Sequence, residues 1–425
     1  MARKYKVKRY YGKDVGFYRA KPHPLVVILV IVVLAGLGYL GTVIYEPVYD
    51  FIMNIGRQDE SAVSVPEDSE PEPENEPDHG AVTEPEDEPV PHLHDNLRAV
   101  YIPHETVSDA ERLEVFLSGL DGTDINAVMI DVKNQDGEIL YQSKNETATE
   151  FGAVVSTAVD LQALASRLEG EGFSLVARMS VFRDPLAAGR GHRAYAIGYR
   201  GAPSVLWLDN AAASGGRPWL NPYSERTQNY IDSLAGEISA SGVSMLVLEN
   251  LRFPDNSSTY AVFNEQETVP EQSRAEMLKD TLARLTAIAR QNGVRIATFY
   301  TALEPTLHEN EQNRYGGPAL QIPDGTLLLD VRPALFGADY SQAGLEVTDP
   351  LQNPAGAVTA SLRYVKAGAS PDIEIIPYLQ GGNVERFNAN RPYGKEQVDE
   401  QIQAVKDLGY EEYFLFSADG VYFLK

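Results

Sequence analysis

The chain has 425 residues, 43% of them hydrophobic, enough apolar material for one large core or two ordinary ones, which excludes a stapled mini-protein. Lys+Arg 36 against Asp+Glu 61 gives a net charge of −25, which argues against nucleic acid as a partner, since binding it requires basic groups to neutralise phosphates. With no cysteine, there is no disulfide, thiolate nucleophile, iron–sulfur cluster or Cys-ligated zinc, and the redox compartment is not legible from this source.

Residues 1–24 carry eight basic groups and one acid, a tail of +7. Leu25 to Ile44 follows without a charge, twenty residues that at about 1.5 Å each cross the roughly 30 Å hydrocarbon core as a helix. It has no polar face, and it runs into Tyr45-Glu46-Pro47 rather than a small-residue cleavage site, so residues 25–45 read as one retained membrane span. Basic residues before it and acidic ones after it place the amino terminus in the cytoplasm and the rest of the chain outside the cell membrane. Residues 58–95 hold fourteen acids, seven prolines and no Lys or Arg, a composition too poor in apolar surface to offset ordering entropy, and read as a disordered acidic linker. His92-x-His94 at its end reads as solvated histidines rather than a metal site.

From Leu97 onward, short β-rich runs alternate with amphipathic stretches, the pattern of parallel strands joined by crossover helices. Eight strands are expected: Ala99–Ile102, Ala127–Lys133, Leu175–Phe182, Met245–Arg252, Arg295–Thr301, Thr326–Arg332, Ile373–Gln380 and Tyr413–Ala418. Helices are expected between most of them. Ser108-x-x-Glu111 looks like a capping box, and helical spacing recurs in Leu161/Leu164/Ala165/Leu168, Leu278/Leu282/Leu285/Ala289, Val358/Leu362/Val365 and Val398/Ile402/Val405, the last stopping near Gly409. No helix is expected between the fifth and sixth strands. Eight such units over 97–425 indicate a TIM (β/α)8 barrel, whose reactive groups sit at the carboxyl ends of the strands, with an open doubly wound sheet as the alternative. No dinucleotide fingerprint follows the first strand and no phosphate-loop motif occurs, so no cofactor is expected.

The strand ends supply the candidate residues. In the second strand Met129, Asp131 and Lys133 share a face, which sets Asp131 and Lys133 toward the axis as substrate groups or as a structural ion pair. Glu249 interrupts a buried apolar strand and is followed by Arg252; a buried carboxylate needs a partner or a task, so a site and an Arg–Glu bridge compete. Asp330, Tyr378, Gln380 and Asp419 lie at the same rim, and Arg178 on the third strand faces the same way. The long segment from Arg183 to Tyr223 carries Trp207, Trp219, Tyr195, Tyr199 and Tyr223, either for stacking on sugar rings or for packing onto the barrel.

Four segments, Ala127-Val-Met-Ile-Asp-Val-Lys-Asn-Gln-Asp-Gly137, Ala177-Arg-Met-Ser-Val-Phe-Arg-Asp-Pro-Leu186, Trp219-Leu-Asn-Pro-Tyr223 and Leu248-Glu-Asn-Leu-Arg-Phe-Pro254, resemble in content and order the bacterial putative glycoside hydrolase domain family. The resemblance spans Leu97 to Lys425 and implies a TIM barrel, often behind an amino-terminal anchor, acting on glycans; this chain has Glu249 where the family usually has Asp. On that basis the expected activity is cleavage of glycosidic bonds in an extracytoplasmic polysaccharide or oligosaccharide. Glu249 is then the general acid and Asp131 or Asp330 the second carboxylate, with Lys133, Arg178, Arg252, Tyr378, Gln380 and Asp419 toward the substrate and no metal. The alternative is a barrel that binds carbohydrate, or scaffolds the envelope, without cleaving. Asp131 and Asp330 are each two strands from Glu249, so at roughly 4.8 Å per strand a separation near 9 Å is expected, the spacing of inverting enzymes.

Overall fold

Eight runs rich in Val, Ile, Leu and Ala form eight parallel strands: β1 (Arg98–Tyr101), β2 (Ala127–Lys133), β3 (Ser174–Ser180), β4 (Met245–Glu249), β5 (Arg295–Thr301), β6 (Thr326–Asp330), β7 (Glu374–Gln380) and β8 (Tyr413–Phe416). The structure, a computed structural model, describes residues 94–383 and 393–425. Each strand pairs with the next, and β1 pairs with both β2 (Ala99 opposite Ala127) and β8 (Ala99 opposite Phe414), so the sheet closes on itself as a (β/α)8 barrel. The open-sheet alternative is thereby excluded. The expected membrane span, basic tail, His92 and the linker as far as residue 93 lie outside the described residues, among which no helix is long and apolar enough to cross a membrane. His94 donates through its Nε2 to the Gly172 carbonyl oxygen at 2.9 Å, and no metal-holding cluster occurs among the described residues.

The helices are α1 (Ala110–Leu120), α2 (Leu161–Gly170), α3 (Glu225–Ser239), α4 (Arg274–Arg290), α5 (His308–Tyr315), α6 (Pro354–Gly368) and α7 (Lys395–Asp407), with shorter turns in the loops. The apolar stripes of α2, α4 and α6 are buried as their spacing requires. In α7, Val398 and Val405 are buried, but Ile402 is only half-buried and Gln401 takes the core position, its amide bonded to the Gln380 backbone on both sides. Two expectations are corrected. The cap of α1 is Asp109, which accepts from the amides of Glu111 and Arg112, not Ser108, because Ser108 closes the preceding short turn. A helix does stand between β5 and β6: α5, whose sequence HENEQNRY has no apolar stripe for periodicity to reveal.

The core has two layers. Outward-facing residues such as Val128, Ile130, Val132, Leu246 and Leu248 meet the helices, while Ala99, Met129, Val176, Val247, Ala297, Leu328, Ile376 and Phe414 fill the interior. The amino-terminal end is closed by Arg295, whose guanidinium bonds both oxygens of Glu412 at 2.7 and 3.2 Å, while Glu412 also accepts the Leu97 amide at 2.8 Å. The polar groups of the opposite end are therefore the ones left to face a ligand.

Candidate active site

Above the apolar filling, the inward positions of β1, β2, β3 and β4 become Tyr101, Asp131, Arg178 and Glu249. Asp131 stands directly opposite Arg178 in the β2–β3 register. Arg178 Nε and Nη2 donate to the two oxygens of Asp131 at 2.6 and 3.1 Å, and Tyr101 Oη donates to Asp131 Oδ2 at 2.9 Å. The same Nε lies 4.0 Å from Glu249 Oε2. Both carboxylates thus lean on one guanidinium, and their closest oxygens are at most about 6.6 Å apart, the 2.6 and 4.0 Å distances laid end to end. This corrects the separation near 9 Å expected from strand spacing, because side chains converging on a shared cation close the gap that their backbones leave.

Glu249 is the more open of the site's acids in hydrogen bonding. Its Oε1 accepts from Gln135 Nε2 at 2.5 Å, and among the described residues Oε2 has only the distant Arg178. Arg252 does not seal it: that guanidinium lies 5.0 Å over the Trp219 ring and 3.7 Å from Asp255. Strand β4 ends at Glu249 because Asn250 takes a left-handed conformation (φ 55°), its amide reaching Ser180 Oγ at 3.2 Å.

On the far side, Arg332 forks onto Asp330 with bonds of 2.9 and 2.7 Å, and its backbone amide bonds the same carboxylate. Asp330 is 1% exposed, so both its oxygens are occupied and it has no free surface. Aromatic rings pave the space between the two arginine–aspartate pairs. Arg178 sits 5.1 Å from the Tyr101 ring, and Arg332 sits 4.4 Å from Phe416 and 5.4 Å from Tyr378. Burial of Arg178 favours its neutral form, but the charges of Asp131, Tyr378 and Glu249 outweigh this and raise its pKa well above the usual value. Burial pushes the Tyr101 and Tyr378 phenols up as well, so both stay protonated donors at neutral pH. The Tyr378 hydroxyl is buried with no hydrogen-bond partner among the described residues.

Several sequence candidates do structural work instead. A register shift between Asp131 and Lys133 moves Lys133 off the axial face, aligning it with outward Met179. Its ammonium meets Asp184 at 2.9 Å with both side chains fully buried, and bonds the Ser180 carbonyl at 2.7 Å. Lys133 is therefore not placed toward a substrate. Gln380 is also buried, bonded to the Ala334 amide and the Gly382 carbonyl. Asp419 holds its own turn through Ser417 Oγ and the Val421 amide. Trp207 and Trp219 are 4% and 2% exposed, so the long loop uses them for packing, while Tyr199 and Tyr260 stack at 5.4 Å as an exposed pair.

The model of the family described as "Putative glycosyl hydrolase domain" matches residues 99–422. The chain belongs to this family. Its glycosyl-hydrolase-like barrel is similar in fold to the PgaB (BpsB) glycoside hydrolase domain from Bordetella bronchiseptica, with 16% identity over 76% of this chain and 95% of that one and a TM-score of 0.53. A hypothetical protein from Ruminiclostridium thermocellum ATCC 27405 is 24% identical over 47% of this chain and 96% of its own, with a TM-score of 0.39. The glycoside hydrolase domain of a PelA variant from Pseudomonas aeruginosa is 12% identical over 77% and 96%, with a TM-score of 0.36. No match is found among curated proteins.

Tyr101 and Gln135 were not singled out by sequence reasoning, and Arg332 entered only as a polar residue ending the sixth expected strand. Parity offered a signal for Tyr101 and Arg332, which continue the inward faces of Ala99 and Asp330. Gln135 comes from a turn: Asn134 Oδ1 accepts the Asp136 and Glu138 amides, Gly137 takes φ 86°, and the resulting tight loop returns Gln135 to Glu249.

Proposed function

We propose that the glycosyl-hydrolase-like barrel cleaves O-glycosidic bonds of a polysaccharide or oligosaccharide, with Glu249 as general acid and Asp131 as the second carboxylate. The observation that carries this reading is the convergence of Glu249 and Asp131 on Arg178 at the carboxyl ends of β2, β3 and β4, with one Glu249 oxygen left without a close donor among the described residues. Glu249 gives its proton to the leaving glycosidic oxygen as the bond from the anomeric carbon breaks, a water molecule forms the new bond to that carbon and sheds a proton to solvent, and Glu249 is reprotonated from solvent. Asp131, locked in orientation by Arg178 and Tyr101, supplies fixed negative charge beside Glu249, on the same guanidinium. Asp330, enclosed by Arg332, takes no part in proton transfer. Family membership supports the reaction class.

One observation favours a second reading, a barrel that binds glycan without cleaving it: guanidinium forks occupy both oxygens of Asp131 and of Asp330, leaving neither of these aspartates free to activate water. Incubating the domain with wall-glycan and plant-glycan panels separates the two. New reducing ends support hydrolysis; retention of a glycan with no product over days supports binding alone.

The setting we propose is the outer face of the cell membrane, with residues 25–45 spanning once, the amino terminus inside and the linker holding the barrel off the surface. The charge asymmetry around the apolar run supports this. Protease added to intact cells then releases the carboxyl-terminal domain, whereas protection until the membrane is broken reverses the orientation.

A further inference from the structure

Beside Glu249, the loops following β2, β3 and β4 wall a cavity of about 440 Å³. Gln135 joins the two places: its amide nitrogen donates to Glu249 and its oxygen accepts from Arg183, which lines the cavity with Arg217 and Arg252. Three guanidiniums in one recess are unexpected in a chain of net charge −25.

The formal charges there are balanced by Asp136, Asp209 and Asp255, but the hydrogen bonding is not. Asp209 is occupied by uncharged donors, accepting the Arg217 amide at 2.7 Å and the Trp219 indole N–H at 3.0 Å. Asp255 is gripped from outside the recess by Arg314, through two bonds. Asp136 is exposed at the rim. On the cationic side, Arg183 uses one donor on Gln135, and the exposed Arg217 side chain has no acceptor among the described residues. Arg252 is fixed over the Trp219 ring. Unused guanidinium donors on Arg183 and Arg217 therefore face a space in which Asp209 and Asp255 already hold donors and Asp136 stands out at the rim.

We propose that this cavity is an anion subsite adjoining Glu249, in which Arg183 and Arg217 receive an oxyanion, carboxylate or phosphate, carried by a sugar neighbouring the one at Glu249. The glycan is on this account acidic. A planar fork of N–H donors matches either oxyanion and gives charge-assisted bonds that a neutral sugar cannot replace. The inference rests on the glycan reading above for the identity of what carries the anion.

Binding is measured by titration calorimetry on the full chain bearing Glu249→Gln, which suppresses turnover. The ligands are a galacturonan hexamer, a phosphodiester-linked hexamer of neutral sugars and an uncharged galactan hexamer. At least one acidic hexamer is expected to bind about tenfold or more tightly than the neutral one, and which of the two does so identifies the oxyanion. Adding Arg183→Gln or Arg217→Gln is expected to remove most of that preference while leaving neutral binding within about twofold. Arg217 is exposed, so its variant stays folded if the other does not. Equal binding of acidic and neutral hexamers, no binding of any, or a preference that survives both substitutions overturns the subsite. An acidic hexamer bound through the arginines but left intact by the native chain upholds the subsite and sinks hydrolysis. Cleavage of neutral glycan with no charge preference does the reverse.

Discussion

Replacing Lys133 by Met removes one half of an ion pair whose two side chains are fully buried and whose N–O distance is 2.9 Å. The Asp184 carboxylate is then left in the core with, among the described residues, only the Ala187 amide, at 2.7 Å, as a remaining donor. Stranding a buried charge in this way costs about 3–5 kcal/mol. At roughly 2.1 cal/mol/K of unfolding entropy per residue over about 330 residues, a loss of about 4 kcal/mol lowers the melting temperature by roughly 6 °C. Thermal and urea unfolding followed by circular dichroism reads the loss directly. Adding Asp184→Asn removes the stranded charge but keeps an acceptor for Ala187, so the double variant is expected to regain more than half of it. If Lys133→Met melts within about 1 °C of the native chain while glycan binding or cleavage collapses, the pair is not structural and Lys133 belongs to the substrate after all.

Two further outcomes follow from the same region and its neighbour. Gly137→Ala sets a Cβ 2.0 Å from Asp184 Oδ1 at a residue with φ 86°, so the turn that presents Gln135 must shift; a stability loss of at least about 2 kcal/mol in urea titrations is expected. Burial alone would raise the Asp255 pKa, but bonds from Arg314 and the charge of Arg252 outweigh it and hold the carboxyl below its usual value. A group depressed in the folded state adds stability that is present above its unfolded pKa, about 3.9, and lost as pH falls through the folded one. Stability measured from pH 6 down to pH 2 should therefore fall less steeply below about pH 4 in Arg314→Gln than in the native chain, and an unchanged slope would dismiss the pair.

The barrel was legible because each strand has to bury two faces, which leaves unbroken runs such as Met245-Leu-Val-Leu, and because α2, α4 and α6 bury a stripe at helical spacing. Helix α5 has no such stripe and left no periodic trace. The inward direction of Asp131 followed from alternation along β2. The same rule misplaced Lys133, because a local register shift changes the face of every residue beyond it and nothing in the residue types announces the shift. An acid near the carboxyl end of its strand singled out Glu249, Asp131 and Asp330 alike, yet only contacts from elsewhere separate them. Arg332 encloses Asp330, whereas Gln135 reaches Glu249 from a loop whose path depends on Asn134 and Gly137 rather than on any period.

In the proposed reaction the Glu249 carboxyl is the proton donor rather than part of the framework. Arg178 keeps Asp131 as its counter-charge and Arg252 keeps Asp255, so replacing Glu249 by Gln strands no cation. The Glu249→Gln variant, assayed per folded molecule on a glycan that the native chain cleaves, is expected to lose two or more orders of magnitude in rate while its unfolding free energy stays within about 1 kcal/mol. A variant that melts far earlier yet cleaves that glycan at the native rate per folded molecule would place Glu249 in the framework instead.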